Sequence, residues 1–306
     1  MRIVTMGAGG VNGYFGARLQ QAGHEVVFIA RGRHLAALQS EGLRIRSPLG
    51  DAHLKVKAVE NAAQAGEADV IFFAVKLWDT EAAARQLASL KAPVIPFQNG
   101  VEAIERLGAI LGPERVLGGS AYIASRIESP GVIEHVGTMA RLQFGAVRPS
   151  QRAIAEELLA ASKQAGINAE ISPDIVRVNW EKFVFLVGLS SATAVSRAPL
   201  GVVRSDPDLR WLFEEAMRET WRVGRARGVA LPDDFVESRM QFAETLPAEM
   251  RASMLHDLQA GGRLEAPWLC GAVVRMSREA GLDAPVNRSV FAALKPFVDG
   301  SARQAS

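Results

Sequence analysis

The chain has 306 residues, of which 48 % are hydrophobic and 22 % charged, as in a globular protein of one large or two medium domains. Its formal net charge of +2 gives no electrostatic reason to expect nucleic acid or an acidic membrane as a partner. The single cysteine excludes an internal disulfide and is typical of a reducing cytoplasm, and no apolar run approaches the ~20 residues of a membrane span.

The first predicted elements are a strand, a glycine-rich turn and a helix. An apolar run over residues 3–6 follows Met1-Arg2 directly, so we expect no signal peptide, and a helical pattern covers residues 14–21. In this context the turn resembles G-x-G-x-x-G and predicts a dinucleotide site, in which Gly7 permits the bend and Gly9 lets a pyrophosphate approach. The third motif position departs from the pattern, and the alternative is a glycine-rich turn without a ligand. The candidate cofactor-binding residues here are Gly7, Ala8, Gly9, Gly10, Val11 and Asn12.

The second predicted strand, residues 26–30, ends at Arg31, with Arg33 close behind. At this position a Rossmann unit contacts the adenosine ribose, and an NAD enzyme usually has Asp or Glu there to bind the 2′-hydroxyl. A guanidinium can instead bind a 2′-phosphate through two hydrogen bonds. We therefore predict NADP(H) rather than NAD(H), the alternative being two solvated arginines.

Two further predicted strands end in polar residues. The buried run 69–75 is followed by Lys76, and the run 93–97 is followed by Gln98-Asn99-Gly100. Ligands of open α/β sheets bind at the carboxyl ends of strands, so Lys76 and Asn99 are candidate site residues. Asn-Gly is also a common turn pair, and the local sequence leaves both interpretations of Asn99 open.

The remaining pattern of the first half predicts a sheet domain. Residues 43–58 are typical of a hairpin, and the short strand-like runs between 116 and 147 are interpreted as later strands of the same mixed sheet. A helix over 151–164 and a short strand over 166–171 close this domain. Ser172-Pro173-Asp174 then predicts a helix start, with Ser172 as the cap and Pro173 in the first helical position.

Beyond residue 172 the pattern is almost entirely helical, with Pro, Gly or capping residues between the helices. The predicted fold class is α/β: an N-terminal Rossmann-type mixed-sheet domain followed by a C-terminal all-helical domain. The predicted domains are 1–172 for NADP binding and 173–300 for substrate binding and dimerisation, with a frayed tail at 301–306.

Lys182 is the most unusual residue of the first long helix in the C-terminal half. It precedes an apolar run, and the same helix face carries Leu186 one turn on and Ser190 two turns on. Such a lysine either extends its ammonium to water or lies in a partly dry site. In a dry site desolvation lowers its pKa towards neutrality and makes it a proton donor.

Two other polar residues of the helical half are candidates. Glu265 precedes a helix start marked by Pro267, where a carboxylate can serve either chemistry or only the helix dipole. Ser253 lies in the preceding predicted helix and has no local signal beyond its hydroxyl. The five histidines show no metal-binding spacing, and serine-hydrolase and P-loop motifs do not occur, so we expect no metal site and neither of those chemistries.

Taken together, the chain resembles the ketopantoate reductase (2-dehydropantoate 2-reductase) family over nearly its whole length. The stretches that carry the resemblance are Gly7-Ala8-Gly9-Gly10, Tyr14-Phe15-Gly16-Ala17-Arg18-Leu19, Arg31, Ala74-Val75-Lys76-Leu77-Trp78, Gln98-Asn99-Gly100-Val101, Trp180-Glu181-Lys182-Phe183, Ser253-Met254-Leu255-His256-Asp257, Glu265 and Gly281-Leu282-Asp283-Ala284-Pro285-Val286-Asn287.

The resemblance implies NADPH-dependent reduction of ketopantoate to pantoate, in pantothenate biosynthesis. Lys182 would protonate the carbonyl oxygen, with Glu265 holding the substrate and the lysine. Ser253 would contact the substrate, and Asn99 and Lys76 would lie near the nicotinamide. A homodimer formed through the helical domain is part of the same expectation.

The chain departs from the family on the lysine helix. The family carries two asparagines that hydrogen-bond the substrate, and this chain has Leu186 and Ser190 there, which join Asn99 and Ser253 as candidate substrate-binding residues. Loss of polar partners changes substrate discrimination strongly. Two alternatives therefore stay open: a related oxidoreductase acting on a different 2-oxo or 3-hydroxy acid, and a non-catalytic NADP-binding sensor.

Overall fold

The polypeptide divides into two compact units between Asn179 and Trp180, in a computed structural model that describes residues 1–300. The predicted boundary at residue 172 lies shortly before the long helix within which the units divide. The predicted tail, residues 301–306, lies outside the described residues.

The first unit alternates strands and helices before it changes to a long hairpin. Its elements are β1 (Arg2–Met6), α1 (Gly10–Gln21), β2 (Glu25–Ile29), α2 (Gly32–Ser40), β3 (Leu43–Arg46), β4 (Ala52–Leu54), β5 (Lys57–Val59), α3 (Ala62–Ala65), β6 (Val70–Phe73), α4 (Thr80–Gln86), β7 (Val94–Pro96), α5 (Ala103–Leu111), β8 (Gly118–Ser129), β9 (Val132–Gly145), α6 (Arg152–Gln164) and β10 (Asn168–Ile171).

A parallel sheet in the order β5-β2-β1-β6-β7 forms the centre of this unit. Alternate residues of β1 point to opposite faces, so Ile3 packs with Phe28 and Phe72 on one side while Val4 packs with the apolar residues of the other. Burial on both faces accounts for the continuous apolar runs in the sequence. The predicted fold class, a Rossmann-type α/β domain followed by a helical domain, is confirmed.

A second sheet, in the order β10-β9-β3-β4 with β8 on β9, contains the strands between residues 118 and 145. The interpretation of these strands as later members of the first sheet is therefore wrong. The Leu117 N–H donates to the Val94 carbonyl at 3.0 Å beside β7, and the chain then leaves as the antiparallel pair β8–β9. The predicted hairpin is correct for β3 and β4, whereas β5 pairs with β2 in the first sheet.

The second unit contains helices, and the long helix α7 leads into it from the first. The helices are α7 (Ile175–Ser196), α8 (Leu200–Ser205), α9 (Pro207–Ala226), α10 (Phe235–Thr245), α11 (Ser253–Gln259), α12 (Cys270–Glu279) and α13 (Pro285–Leu294). Within residues 1–300, no helix combines the length and apolar character that a membrane crossing requires.

Capping side chains define two of these helix starts. Asp206 accepts hydrogen bonds from the N–H groups at the start of α9, with Pro207 first in the helix. At α7 the Asp174 carboxylate accepts from the Arg177 N–H at 3.0 Å, so the predicted cap at Ser172 is wrong by two residues. The Ser172 hydroxyl instead accepts from the Asp174 N–H at 3.1 Å. Asp174 directly precedes the first residue of α7, so its carboxylate reaches a free N–H of the first turn.

Candidate active site

The glycine turn is tied to the carboxyl end of β2. Gly7 has φ 90°, and a Cβ there would lie 2.9 Å from the Val75 side chain, so glycine is needed for both reasons. The N–H groups of Gly7 and Ala8 donate to the Ile29 carbonyl at 3.2 and 3.0 Å. The N–H of Ala8, a predicted cofactor contact, is therefore used within the fold.

The start of α1 presents backbone donors instead. The first helical hydrogen bond runs from the Gly13 N–H to the Gly9 carbonyl at 2.7 Å, so the N–H groups of Gly10, Val11 and Asn12 have no carbonyl partner within the helix. A Cβ on Gly9 would meet nothing within 4 Å, so this glycine borders open space. Donors at a helix N-terminus next to an open glycine suit a phosphate.

Asn12 has a structural explanation for its departure from the glycine motif. Its side chain is fully buried, and its Nδ2 donates to the carbonyls of Met6 at 3.2 Å and Phe72 at 3.1 Å. These carbonyls belong to the neighbouring strands β1 and β6, which the amide holds together beneath the turn. The side chain therefore points into the protein, and the backbone N–H is what Asn12 can offer a ligand.

His34 supports the same turn, although sequence reasoning assigned it no role. Its Nδ1 accepts from the Gly131 N–H at 3.1 Å, and its Nε2 lies 2.9 Å from the Ala8 carbonyl. The first bond requires an unprotonated Nδ1, so Nε2 carries the proton and donates it. Burial lowers the pKa of His34, which is consistent with a neutral ring. In the sequence, the only indication of this role was the position of a histidine just after the second strand.

Arg31, at the end of β2, forms an ion pair that the sequence did not reveal. Its Nη2 donates to the Asp79 carboxylate at 2.7 Å. The Arg31 side chain is 71 % exposed and that of Asp79 only 28 %, so the guanidinium remains open to a ligand. Asp79 lies in a short 3-10 turn, Leu77–Asp79, that follows β6. Because β1 lies between β2 and β6, the pair spans the strand that enters the glycine turn.

Lys76 and Asn99 follow adjacent strands, β6 and β7, as predicted for the carboxyl edge of the sheet. Lys76 is exposed, with its ammonium 5.6 Å from the Trp78 ring centre, and Asn99 is half-buried. Gly100 has φ 88°, so the Asn-Gly pair also forms a turn, and both interpretations of Asn99 remain compatible with the fold.

Gln98 secures this edge, a role that the sequence did not indicate. Its Nε2 donates to the Val75 carbonyl at 2.7 Å and to the Thr80 hydroxyl at 2.9 Å. The buried amide thereby joins the segment after β7 to the segment after β6, on either side of Lys76.

In the second unit, Lys182 lies half-buried on α7. Desolvation lowers its pKa from an ordinary 10.5 to about 8, while the negative charge of Glu265 acts in the opposite direction and raises it. An ammonium in this environment is a stronger acid than a solvated lysine, and the charge of Glu265 keeps it protonated near neutral pH.

The α7 face beyond Lys182 is largely apolar. Leu186 is half-buried one turn on, and Ser190 is 1 % exposed two turns on. Within residues 1–300 the Ser190 hydroxyl has no hydrogen-bond partner. A buried hydroxyl of this kind costs free energy unless a ligand or water satisfies it.

Glu265 and Ser253 lie outside α7. Glu265 is 7 % exposed and precedes the 3-10 turn Ala266–Trp268, where its carbonyl accepts from the N–H groups of Trp268 and Leu269 at 3.0 and 3.1 Å. The backbone carbonyl of Glu265 thus holds this turn, and the charge of its carboxylate acts on Lys182. Ser253 is exposed and is the first residue of α11, in the helix predicted to precede Glu265.

Comparisons with known proteins cover nearly the whole chain and agree with one another. The family models for ketopantoate reductase PanE/ApbA and for its C-terminal region match residues 3–149 and 174–298. A 2-dehydropantoate 2-reductase of Archaeoglobus fulgidus is 35 % identical, over 95 % of each chain. An uncharacterized oxidoreductase of Bacillus subtilis is 28 % identical, over 97 % of this chain and 99 % of its own.

Solved structures give the same result. A PanE/ApbA family ketopantoate reductase from Ralstonia eutropha is 32 % identical with a TM-score of 0.89, covering 97 % of this chain and 98 % of its own. D-mandelate dehydrogenase, solved with NADH and anilino(oxo)acetate, also has a TM-score of 0.89 and covers 97 % of this chain and 98 % of its own. At 19 % identity it shows a shared fold alone. From the two family models and these relatives, we conclude that the chain belongs to the ketopantoate reductase family.

Proposed function

We propose that the protein reduces 2-dehydropantoate (ketopantoate) to pantoate with NADPH, as a cytoplasmic enzyme of pantothenate biosynthesis. The observation that carries this proposal is the half-buried Lys182, whose pKa of about 8 is set by desolvation and by the opposing charge of Glu265. A proton donor with a pKa near the working pH is what reduction of a carbonyl to an alcohol requires. The names of the relatives support the substrate.

The residues of the first unit fit a dinucleotide phosphate. The N–H groups of Gly10, Val11 and Asn12 would bind the pyrophosphate next to the open position at Gly9. Arg31 would bind a 2′-phosphate, since its exposed guanidinium lies at the end of β2. Lys76 and Asn99 would contact the nicotinamide half. When bound, NADPH supplies the hydride.

The second unit supplies the proton. The Lys182 ammonium would donate a proton to the carbonyl oxygen of the 2-oxo acid, which would become the hydroxyl of the 2-hydroxy acid, and would itself become a neutral lysine. Glu265 would hold the ammonium protonated between turnovers and orient it, and solvent would restore the proton. Ser253 and Ser190 would contact the substrate through their hydroxyls, and Asn99 through its amide.

A second candidate is the reduction of a different, less hydroxylated 2-oxo acid. The half-buried Leu186 cannot hydrogen-bond a substrate hydroxyl, and Ser190 offers one short hydroxyl. If ketopantoate is a poor substrate, Leu186→Asn should improve its turnover. High wild-type turnover of ketopantoate that falls in this variant would contradict the second candidate.

The deciding experiment follows loss of NADPH absorbance with ketopantoate and a panel of other 2-oxo acids. Wild type is compared with Lys182→Ala and with Lys295→Ala, which removes an exposed lysine of the same unit. We expect Lys182→Ala to reduce kcat by about 10²–10⁴-fold and the control to match wild type. NADPH binding without turnover of any oxo acid would instead support a non-catalytic sensor. Sedimentation of the same samples would test the homodimer that we also propose.

A further inference from the structure

The ion pair between Arg31 and Asp79 places opposite charges at the predicted position for recognition of the adenosine ribose. Arg31 Nη2 lies 2.7 Å from Asp79 Oδ2, and Asp79 is the less exposed partner. The backbone of Asp79 is also anchored, because its N–H donates to the Lys76 carbonyl at 2.9 Å within the 3-10 turn. The short Asp79 side chain therefore extends from a fixed backbone, while the longer and more exposed Arg31 side chain has more rotatable bonds.

A 2′-phosphate and a 2′-hydroxyl would meet this pair differently. Any phosphate that bonds to the Arg31 guanidinium comes within a few ångströms of the Asp79 carboxylate, and it must displace that carboxylate or share the guanidinium with it. Two negative groups at such separation repel. A hydroxyl can instead donate a hydrogen bond to the same carboxylate, as ribose hydroxyls do to acidic residues in NAD-binding folds.

We infer that Asp79 is a specificity-determining residue that weakens the preference of this protein for NADPH over NADH. Arg31 attracts the 2′-phosphate, and Asp79 both neutralises part of that attraction and provides an acceptor for the 2′-hydroxyl of NADH. The inference rests on the proposed dinucleotide site but requires no particular substrate.

Asp79 could also have the opposite effect and strengthen NADPH binding, and this would give a different change in the two dissociation constants. If Asp79 served only to orient Arg31 towards the phosphate, its removal would weaken NADPH binding and leave NADH binding unchanged. The sign of the change in the ratio of the two dissociation constants therefore decides between the two roles.

The test is a titration of the purified protein with NADPH and with NADH, by calorimetry and by quenching of tryptophan fluorescence, without an oxo acid. Asp79→Asn keeps the size of the side chain and removes its charge. We expect the NADPH-to-NADH affinity ratio to rise about tenfold, through tighter NADPH and weaker NADH binding. The control is Glu128→Gln, which removes an exposed carboxylate paired with Arg46 at 2.8 Å in the second sheet of the same unit. It should leave the ratio at the wild-type value.

A double-mutant cycle with Arg31→Ala makes the assignment specific. Once the guanidinium is absent, Asp79→Asn should change the ratio less than it does in the wild-type background. An unchanged or lower ratio in Asp79→Asn would overturn the inference, with thermal melts confirming that the variants fold. Because binding is measured directly, absence of ketopantoate reduction would contradict the proposed reaction without affecting this result.

Discussion

Glu265 raises the pKa of Lys182, in opposition to the desolvation that lowers it to about 8. The lysine lies on α7 and the carboxylate lies before α12, and both belong to the second unit. A dry environment alone would release the proton at lower pH, and a carboxylate alone would hold it more tightly than water does. The balance of the two produces an acid suited to neutral pH.

The first prediction concerns the pH dependence of this acid. Lys182 must be protonated to donate, so kcat/KM for reduction should be level below pH about 8 and fall above it. Glu265→Gln removes the charge that raises the pKa, so the fall should begin at lower pH than in wild type. Rates measured from pH 6 to about 10, under conditions of saturating NADPH, would show the shift.

The matched control for that experiment is Glu279→Gln, which neutralises an exposed carboxylate at the far end of α12. Its pH profile should coincide with that of wild type. A Glu265→Gln profile that falls at the same pH as wild type, or at higher pH, would show that Glu265 does not set the protonation of Lys182.

The second prediction compares two adjacent glycines. A Cβ on Gly9 meets nothing within 4 Å, and its φ of −76° suits alanine, so Gly9→Ala should leave the unfolding free energy within about 0.5 kcal/mol of wild type. That methyl group would occupy the open space beside the helix donors. NADPH binding should therefore weaken about tenfold or more, which corresponds to about 1.4 kcal/mol, as measured by calorimetry.

Gly10→Ala, in contrast, should lower the free energy of unfolding. Its Cβ would lie 2.5 Å from the Ser125 carbonyl oxygen of β8, so the backbone must shift, at a cost of about 1–3 kcal/mol in denaturant unfolding. Tight NADPH binding by Gly9→Ala would mean that the phosphate does not approach there, and the proposed position of the cofactor would have to be abandoned.

The third prediction concerns the buried amide of Asn12. Asn12→Ala removes two hydrogen bonds to strand carbonyls, although the Met6 carbonyl keeps its bond from the Ala74 N–H at 3.1 Å. We expect a loss of about 1–3 kcal/mol in the free energy of unfolding. Asn12→Gly, which restores the usual motif, should be no more stable, since glycine adds backbone entropy to the unfolded chain.

Urea unfolding of both Asn12 variants would be compared with Gln39→Ala. This control removes a single hydrogen bond, from an exposed side chain to the Ala58 carbonyl at 3.0 Å. An Asn12 variant as stable as the control would show that its amide does not hold β1 and β6 together.

Several features followed from local sequence. The strand, turn and helix at residues 2–21 were predictable because the apolar run, the glycines and the helical pattern are contiguous. The start of α9 was predictable because Asp206 and Pro207 are sufficient signals on their own. The start of α7 was misplaced because Ser172 and Asp174 both resemble caps, and the local sequence does not rank them.

Other features depended on contacts between distant segments. The sequence indicated strands between residues 116 and 147 but not their separate sheet, since sheet membership is decided by pairing partners far along the chain. In the sequence, Asn12 is only a departure from the glycine motif, and its hydrogen bonds to the carbonyls of Met6 and Phe72 are known only from the structure. The pairing of Arg31 with Asp79 likewise joins segments that no local pattern relates.

The amino-acid sequence by itself determined which residues could carry the chemistry: a glycine turn with Arg31 in the first unit, and Lys182 and Glu265 in the second. Residue type and local periodicity can be taken directly from the sequence, and they are sufficient to identify these candidate residues. Only the tertiary structure decided the state of these groups, because desolvation and charge pairing arise from neighbours that folding brings together. The pKa of Lys182 and the partner of Arg31 are both consequences of that packing.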